Sequence, residues 1–271
     1  MTNLPLLREV LAVPTKSRLE AKMIAWLVRY FDARHIRCEV DAIGNVYVTK
    51  GVSKSYPCVC AHTDSVHDPR QVRIVQKDDR LVAVDGDMRQ CGLGGDDKSG
   101  IFICLELIER FSVLKAAFFV SEEIGCVGSR SCDEDFFADV GYVMEFDSPC
   151  DTIMTYCCDG TQLFPDEGTF ADIMTPIVIA RGVNHWQNHP FTDVSVLKRK
   201  FDFPCLNLPA GYFRMHSSDE YVSIKAVENA IELGSELREA LGTQSYTFKT
   251  KHPHRDNGKP RLPVTGLITH G

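Results

Sequence analysis

Five short stretches of the sequence place carboxylates or histidines directly after apolar, strand-like segments. Carboxylates and imidazoles are side chains that bind zinc and transfer protons. Because ligands of an open α/β sheet bind outside the carboxyl ends of its strands, we expect these five stretches to share one crevice. The stretches are His62-Thr63-Asp64, Asp96-Asp97, Glu122-Glu123, Asp147-Ser148 and His216-Ser217-Ser218-Asp219-Glu220.

The combined charge of these stretches indicates a metal centre. So many acids in one place repel one another unless cations compensate them. Mixed histidine and carboxylate ligation suits zinc, and two metals roughly 3.5–4 Å apart are a common device for activating water at an amide. Any one stretch alone has an ordinary explanation, since acids near a helix start often serve as caps or compensate the helix dipole. Their joint occurrence at five strand ends favours a dinuclear centre.

The stretch Gly92–Gly100 is the most distinctive of the five. Its glycines surround the acidic pair, and their backbone can approach a bound group closely while holding a carboxylate against it. From Lys98 onward, apolar residues recur at helical spacing, which predicts a helix directly after the acids.

Strands alternating with helices must position these side chains. Helices are predicted at 4–11, up to about residue 34, after Lys98, near 125–128, at 170–180 and at 224–241. The second of these begins at a capping box formed by Ser17 and Glu20, and the last begins at a Ser223 cap. Pro176 should kink or restart the helix at 170–180. The strands are predicted at 38–40, 46–49, 57–61, 116–120, 140–146, 152–158 and 203–208, with a hairpin formed by 73–76 and 81–84. This alternation predicts an α/β fold with a central mixed, mostly parallel sheet and helices on both faces.

Composition excludes several classes of function. The hydrophobic content of 44% and charged content of 25% are those of an ordinary globular protein. A net charge of -7 without a basic stripe argues against a nucleic-acid partner, and no apolar run approaches the ~20 residues of a membrane span. No signal peptide is visible at the N-terminus. The eleven cysteines form no CxxC pair, which favours reduced thiols and a cytoplasmic location.

The chain is expected to form one domain followed by a tail. Residues 1–242 carry all five stretches and form the catalytic unit. Residues 243–271 are basic and contain several prolines, so we interpret them as a peripheral tail. Within that tail, His252-Pro253-His254 is better explained as solvated chain than as a metal site.

The ordered series AHTDS, GGDDKSG, SEEIG, EFDS and MHSSDE resembles the dinuclear zinc exopeptidases of clan MH, typified by peptidase T and the glutamyl and leucyl aminopeptidases. The segment Asp41-Ala42-Ile43-Gly44-Asn45 is similar to a "D-x-x-G-N" turn of that family. The resemblance extends over almost the whole chain up to Gly242. It implies a zinc exopeptidase fold with two Zn²⁺ per chain, for which Co²⁺ or Mn²⁺ are possible substitutes.

The resemblance also implies the role of each matching residue. The implied metal ligands are His62, Asp96, Glu123, Asp147 and His216. Asp96 would bridge the two metals, with His62 and Asp147 completing one site. Glu122 would act as general base, and Asp64 would hydrogen-bond the His62 imidazole. The family further implies a cis peptide bond between Asp96 and Asp97. Glu145 would share a strand face with Asp147, and we assign it a supporting contact or a salt bridge rather than ligation.

The sequence departs from peptidase T in one large respect. Only 33 residues separate His62 from Asp96, and 68 separate Asp147 from His216, so neither interval has room for the family's lid or dimerisation domain. We therefore expect a build closer to the single-domain aminopeptidases, and substrate contacts that do not come from a lid.

Other segments must then contact the substrate. His189, Thr192 and Asp193, in the loop 184–193, are candidates, although an ordinary capped loop explains them equally well. Arg214 is a fourth candidate, since a guanidinium binds a carboxylate in bidentate fashion, and an ion pair with a nearby acid is the alternative.

The sequence thus predicts a metallo-exopeptidase that acts on short peptides, most simply as an aminopeptidase and as a monomer or small homo-oligomer. In this hypothesis a metal-bound hydroxide attacks the scissile carbonyl and Glu122 relays the proton to the leaving amine. Two alternatives remain: a metal-dependent deacylase of N-acyl amino acids, and a non-catalytic metal-binding protein on the same scaffold. The second would be marked by a missing base or ligand, and none is missing.

Overall fold

The structure, a computed structural model, describes residues 2–249. Within this range the helices are α1 (Leu4–Ala12), α2 (Ala21–Asp32), α3 (Gly95–Arg110), α4 (Val127–Arg130), α5 (Glu134–Phe137), α6 (Thr169–Ala180), α7 (Asp193–Lys200) and α8 (Ile224–Leu241). The strands are β1 (Cys38–Val40), β2 (Val46–Lys50), β3 (Tyr56–His62), β4 (Arg73–Lys77), β5 (Arg80–Val84), β6 (Gln90–Cys91), β7 (Leu114–Phe119), β8 (Val140–Ser148), β9 (Ile153–Cys158), β10 (Thr161–Gln162), β11 (His185–His189), β12 (Cys205–Pro209), β13 (Tyr212–Phe213) and β14 (Tyr221–Ser223).

The larger of two sheets has the strand order β1-β2-β7-β3-β8-β12-β9-β10, and β11 also pairs with β9. Its four central strands, β7, β3, β8 and β12, run parallel, whereas β2 joins β7 and β9 joins β12 in antiparallel fashion. The residues of β3, β7 and β8 are buried throughout, as expected for strands covered on both faces. The predicted mixed α/β sheet is confirmed, with its parallel part at the centre and antiparallel strands on either side.

Helices cover both faces of this sheet, and β8 shows the division between them. A Cβ added to Gly234 of α8 would meet the Phe146 ring, so Phe146 faces the layer of α8. The next side chain back along the strand, Glu145, accepts a hydrogen bond from the backbone N–H of Val194 in α7. Helices α3 and α8 pack together on one side, and α4 and α7 pack together on the other.

A second, smaller sheet was not anticipated from the sequence. It has the order β13-β14-β5-β4, with β6 paired to β5, and it contains the predicted 73–84 hairpin as β4 and β5. It joins two distant parts of the chain, because β14 pairs with β5. The turn after β6 carries the Gly92 loop, and the turn between β13 and β14 carries His216.

Several local expectations need correction. Helix α2 begins at Ala21 without a side-chain cap, and the Ser17 hydroxyl instead donates to Asp64 Oδ2 at 2.7 Å, so the predicted capping box is wrong. Helix α6 continues through Pro176 without the predicted kink or restart. By contrast, the predicted Ser223 cap is confirmed, because its hydroxyl accepts the Ala226 N–H at 3.1 Å.

The start of the predicted tail packs onto the domain. Tyr246 donates its backbone N–H to the Gly141 carbonyl, and its ring lies edge-on to Tyr142 and Phe170. The described part of the domain therefore extends beyond residue 242. The rest of the tail, with its His252-Pro253-His254 segment, lies outside the described residues.

All eleven cysteines are free thiols, and most of them are buried. In the part of the chain that the structure describes, none of the helices combines the length and apolar character needed to cross a bilayer.

Candidate active site

The five acid- and histidine-bearing stretches meet at one edge of the larger sheet. Strand β3 ends at His62, and its parallel neighbour β8 carries Asp147 near its carboxyl end. Glu122 and Glu123 follow the adjacent parallel strand β7, while Asp96 lies at the start of α3. His216 is brought in from the smaller sheet. The predicted meeting of these stretches at the strand ends is therefore present.

Asp96 occupies the centre of this cluster and divides its two oxygens between two histidines. Its Oδ1 lies 3.0 Å from His62 Nε2, and its Oδ2 lies 3.2 Å from His216 Nε2. On one side, His62 Nε2 is 3.5 Å from Asp147 Oδ1. On the other, His216 Nε2 is 3.1 Å from Glu123 Oε1. Two groups of potential metal ligands thus share one carboxylate.

The neighbouring carboxylate of Asp97 is also within 4.8 Å of ligand atoms of His62 and Asp147. However, both of its oxygens accept backbone N–H groups, Oδ2 from His62 and Oδ1 from Gly100, each at 3.1 Å. A Cβ at residue 100 would lie 2.2 Å from Asp97 Oδ1, so this close approach requires glycine. Asp97 therefore holds β3 against α3, and Asp96 is the better candidate ligand. The Asp96–Asp97 peptide bond is cis, as the resemblance implied.

Glu220 fixes the loop that presents Asp96. Its fully buried carboxylate accepts three backbone N–H groups of that loop, from Leu93 at 3.0 Å, Gly94 at 2.7 Å and Asp96 at 3.2 Å. Its Oε2 is also 2.9 Å from His67 Nε2. The sequence showed Glu220 only as the end of an acidic stretch, because its role depends on the pairing of two distant segments.

Asp64 connects His62 to the two glutamates. Its Oδ1 lies 3.2 Å from His62 Nδ1 and accepts the Glu122 N–H at 2.9 Å, while its Oδ2 accepts the Glu123 N–H at 3.3 Å. Burial opposes ionisation, but the contacts with His62 and Ser17 lower the pKa of Asp64 below its ordinary value. The Nδ1 edge of the His62 ring thus lies towards Asp64, and Nε2 is the atom that faces Asp96 and Asp147.

Glu145 lies behind Asp147 and is completely buried. Its Oε2 accepts a short hydrogen bond from the Thr192 hydroxyl and a longer one from the Val194 N–H at 3.4 Å. No ion pair involving Glu145 occurs within residues 2–249, so the salt bridge offered as one explanation is absent there. Burial raises the pKa of Glu145 well above its ordinary value, and the charges of Asp147 and Asp193 raise it further.

The four candidate substrate contacts differ in position. Thr192 and Asp193 have no exposed surface, and Asp193 accepts the Ser129 hydroxyl at 2.5 Å, so direct contact between either residue and a substrate is not what the structure shows. His189 ends β11 and is half-buried, with Nδ1 2.5 Å from the Phe191 carbonyl oxygen. Arg214 is exposed and lies 3.9 Å from Asp219, which matches the ion-pair alternative.

The electrostatics of the cluster favour a bound cation. Burial raises the pKa of Glu122 well above its ordinary value and that of Asp147 to about 6. The carboxylates of Asp96 and Glu123 raise the pKa of His216 to about 10. In the described chain, no lysine or arginine forms an ion pair with any of these acids. Such a set of acids with two imidazoles fits the nitrogen and oxygen ligation of zinc.

Several solved structures with the same fold are peptidases. Aminopeptidase PepT from Bacillus cereus has a TM-score of 0.74 at 14% identity, covering 88% of this chain and 97% of that chain. A tripeptidase from Staphylococcus aureus has a TM-score of 0.66 at 14% identity, covering 86% and 96%. The TET1 peptidase of Pyrococcus horikoshii has a TM-score of 0.64 at 15% identity, covering 86% and 98%.

No family model and no curated protein matches the sequence. At identities this low, the structural similarities establish the fold alone. The fold expected from the motifs, that of the peptidase T-like aminopeptidases, is thus confirmed.

Proposed function

We propose that this protein is a dinuclear zinc aminopeptidase that removes residues from short peptides. The observation that carries the proposal is the division of the Asp96 carboxylate between His62 and His216. A carboxylate with one oxygen in each of two ligand groups is the arrangement needed to bridge two metals. Three structural neighbours, an aminopeptidase, a tripeptidase and the TET1 peptidase, support the same reaction class.

Two zinc sites follow from this geometry. His62, Asp96 and Asp147 would hold one ion, and Asp96, Glu123 and His216 would hold the other. Bound zinc would supply the Lewis acidity that polarises a scissile carbonyl and makes water more acidic. The Asp64 carboxylate, 3.2 Å from His62 Nδ1, would favour this orientation of the imidazole and increase its basicity as a ligand.

Glu122 would move the proton in the reaction. It follows β7 directly beside Glu123, and its backbone N–H is fixed by Asp64, so its position relative to the proposed ligands is set. Its carboxylate is 4% exposed and bonds to no metal-ligand side chain within the described residues. This leaves Glu122 free to take a proton from the attacking water and deliver it to the leaving amine.

The substrate contacts would come from accessible side chains beside the cluster. His189 and Arg214 have accessible surface and remain our candidates for binding the peptide. Thr192 and Asp193 would support the site indirectly, through their hydrogen bonds to Glu145 and to Ser129 of α4. A site this rich in acids would also attract the α-ammonium group of a free N-terminus. We therefore favour aminopeptidase action over removal of an N-acyl group.

We place this activity in the cytoplasm and in a monomer or small homo-oligomer. Free, mostly buried thiols suit a reducing compartment. The TET1 peptidase is described as able to assemble into a tetrahedron or a large octahedral shell, so light-scattering mass measurement is the direct check on assembly.

The experiment that tests the function starts by counting bound metal in the zinc-loaded protein. The same sample is then assayed on one tripeptide in three forms: free, N-acetylated and C-amidated. We expect two zinc ions per chain, cleavage of the free and C-amidated forms, and little cleavage of the N-acetylated form. Preferential cleavage of the N-acetylated form would transfer the assignment to a deacylase. Two bound zincs without any hydrolysis would favour the non-catalytic scaffold.

A further inference from the structure

Cys126 lies directly against the carboxylate of Glu122. The two residues are four apart on the turn after β7, and Cys126 Sγ is 3.6 Å from Glu122 Oε1. The backbone of the turn holds the two residues in this contact. The backbone N–H groups of Gly125 and Cys126 both donate to the Glu122 carbonyl at 2.8 Å, and Cys126 adopts left-handed backbone dihedrals with φ 54°.

This thiol has no competitor for the carboxylate. Within residues 2–249, no other protein group donates a hydrogen bond to the Glu122 side chain. The backbone N–H of Glu122 donates to Asp64. Cys126 itself is completely buried and Glu122 nearly so. In this part of the chain, the hydrogen bond that the protein gives to the side chain of the proposed base therefore comes from sulfur.

We propose that Cys126 is a positioning residue for Glu122, whose thiol holds Oε1 and leaves Oε2 free to exchange the proton of the reaction. This inference rests on the proposed function, since it assigns Cys126 to the base of that reaction. Cys126 touches neither substrate nor metal, and it acts only through the rotamer of Glu122.

The choice of sulfur has a chemical reason. Burial raises the pKa of Cys126 far above its ordinary value, and the nearby charges of Asp193 and Glu122 raise it further, so the thiol keeps its proton and remains a donor. A lysine or arginine in this place would stabilise the ionised carboxylate and weaken it as a base. A thiol is a weak and neutral donor, so it orients the carboxylate and lowers the basicity of that carboxylate only slightly.

The test compares three variants of the zinc-loaded enzyme. Cys126→Ala removes the donor, and Cys126→Ser restores one with a shorter reach. Cys205→Ala is the matched control, because Cys205 is equally buried but, among the described residues, its thiol donates only to the carbonyl of Phe203, at 4.0 Å. We expect Cys126→Ala to lower kcat about tenfold, in line with loss of a weak hydrogen bond to a charged group. Its KM and zinc content should stay at the wild-type values, Cys126→Ser should recover most of kcat, and Cys205→Ala should keep it.

A spectroscopic measurement tests the contact without depending on turnover. The infrared S–H stretching band of Cys126 is isolated by subtracting the Cys126→Ser spectrum from that of the wild type. The same subtraction is made in the Glu122→Gln background, where the acceptor is a neutral amide. We expect the band to move to higher frequency there, because the thiol's hydrogen bond weakens.

The outcomes separate this proposal from the proposed function. An unchanged S–H band in the Glu122→Gln background would overturn the contact. A Cys126→Ala enzyme with kcat equal to that of Cys205→Ala, or one that loses activity only together with zinc, would overturn the positioning role. A zinc-loaded wild type without peptidase activity would instead refute the proposed function, and the infrared comparison would still decide whether the thiol holds the carboxylate.

Discussion

The carboxylate of Glu220 accepts the backbone N–H of Gly94 at 2.7 Å, and this bond ties the loop that carries His216 to the loop that carries Asp96. Glu220 and His216 are four residues apart, so the two proposed halves of the site are mechanically connected through one side chain. The same carboxylate accepts two further N–H groups, and all of these donors are buried.

This relationship gives the first prediction. Glu220→Ala should lower the free energy of unfolding by about 3 kcal/mol or more, because three buried N–H donors lose their acceptor. Zinc affinity should fall about 10–100-fold, as for the loss of groups that orient metal ligands. Urea unfolding and zinc titration provide the two measurements. Asp219→Asn, at the exposed neighbouring position, is the control and should change neither quantity. Wild-type zinc affinity in Glu220→Ala would show that the loop holds its place without this anchor.

The second prediction concerns the shared carboxylate. Asp96→Ala should reduce zinc binding at both sites and destabilise the protein, because metal binding energy is linked to folding. Asp147→Ala should affect only the site that includes His62. Elemental analysis of the two purified variants distinguishes them. Two zincs still bound per chain in Asp96→Ala would be incompatible with a bridging role.

The third prediction separates two adjacent glutamates. Glu123→Gln should weaken one zinc site and lose activity with it, since Glu123 Oε1 faces His216 Nε2 at 3.1 Å. Glu122→Gln should keep both zincs and nearly unchanged stability, while activity falls by the ~10²–10⁴-fold typical of positioned proton transfer. Metal content and turnover are measured for both variants. Equal metal loss in the two would reject Glu122 as the base.

The fourth prediction concerns Thr192, whose hydroxyl donates to Glu145 in the core. Thr192→Val keeps the shape of the side chain but leaves the buried Glu145 carboxylate with only its weak bond to Val194. The free energy of unfolding should fall by about 1–3 kcal/mol, while KM for a free tripeptide stays constant. Arg214→Ala, at an exposed position, should show the reverse, with a higher KM and unchanged stability. A higher KM for Thr192→Val at constant stability would contradict this prediction and would indicate that Thr192 contacts the substrate directly.

The clustering of the candidate ligands could be predicted from the sequence because the stretches that carry them follow local strand and helix signals, whereas the role of each residue came from the family resemblance. His62 and Glu122 follow continuous apolar strands, and parallel strands bring their carboxyl ends together whatever their order in the sheet. The strand order itself places these ends side by side, with β3 between β7 and β8.

The supporting contacts could not be predicted in this way, because they join segments that only the fold brings together. Ser17 had the spacing of a helix cap, yet its hydroxyl bonds to Asp64, 47 residues away. Glu220 binds the Gly94 amide across 126 residues, through a second sheet whose strands are too short to show a clear periodicity. The contact of Cys126 with Glu122 is local, but it depends on a left-handed backbone conformation that cysteine rarely adopts and that no sequence pattern indicates.

The order of the site residues along the chain has a consequence for biosynthesis. His62, Asp96 and Asp147 leave the ribosome well before the segment that supplies His216 and Glu220. On the proposed assignment, a nascent chain can gather the ligands of one zinc but neither complete the second site nor fix the Gly94 loop. On the same assignment, hydrolytic competence would arrive only once β14 has been made and has paired with β5, so the nascent chain would not cleave peptides before that pairing.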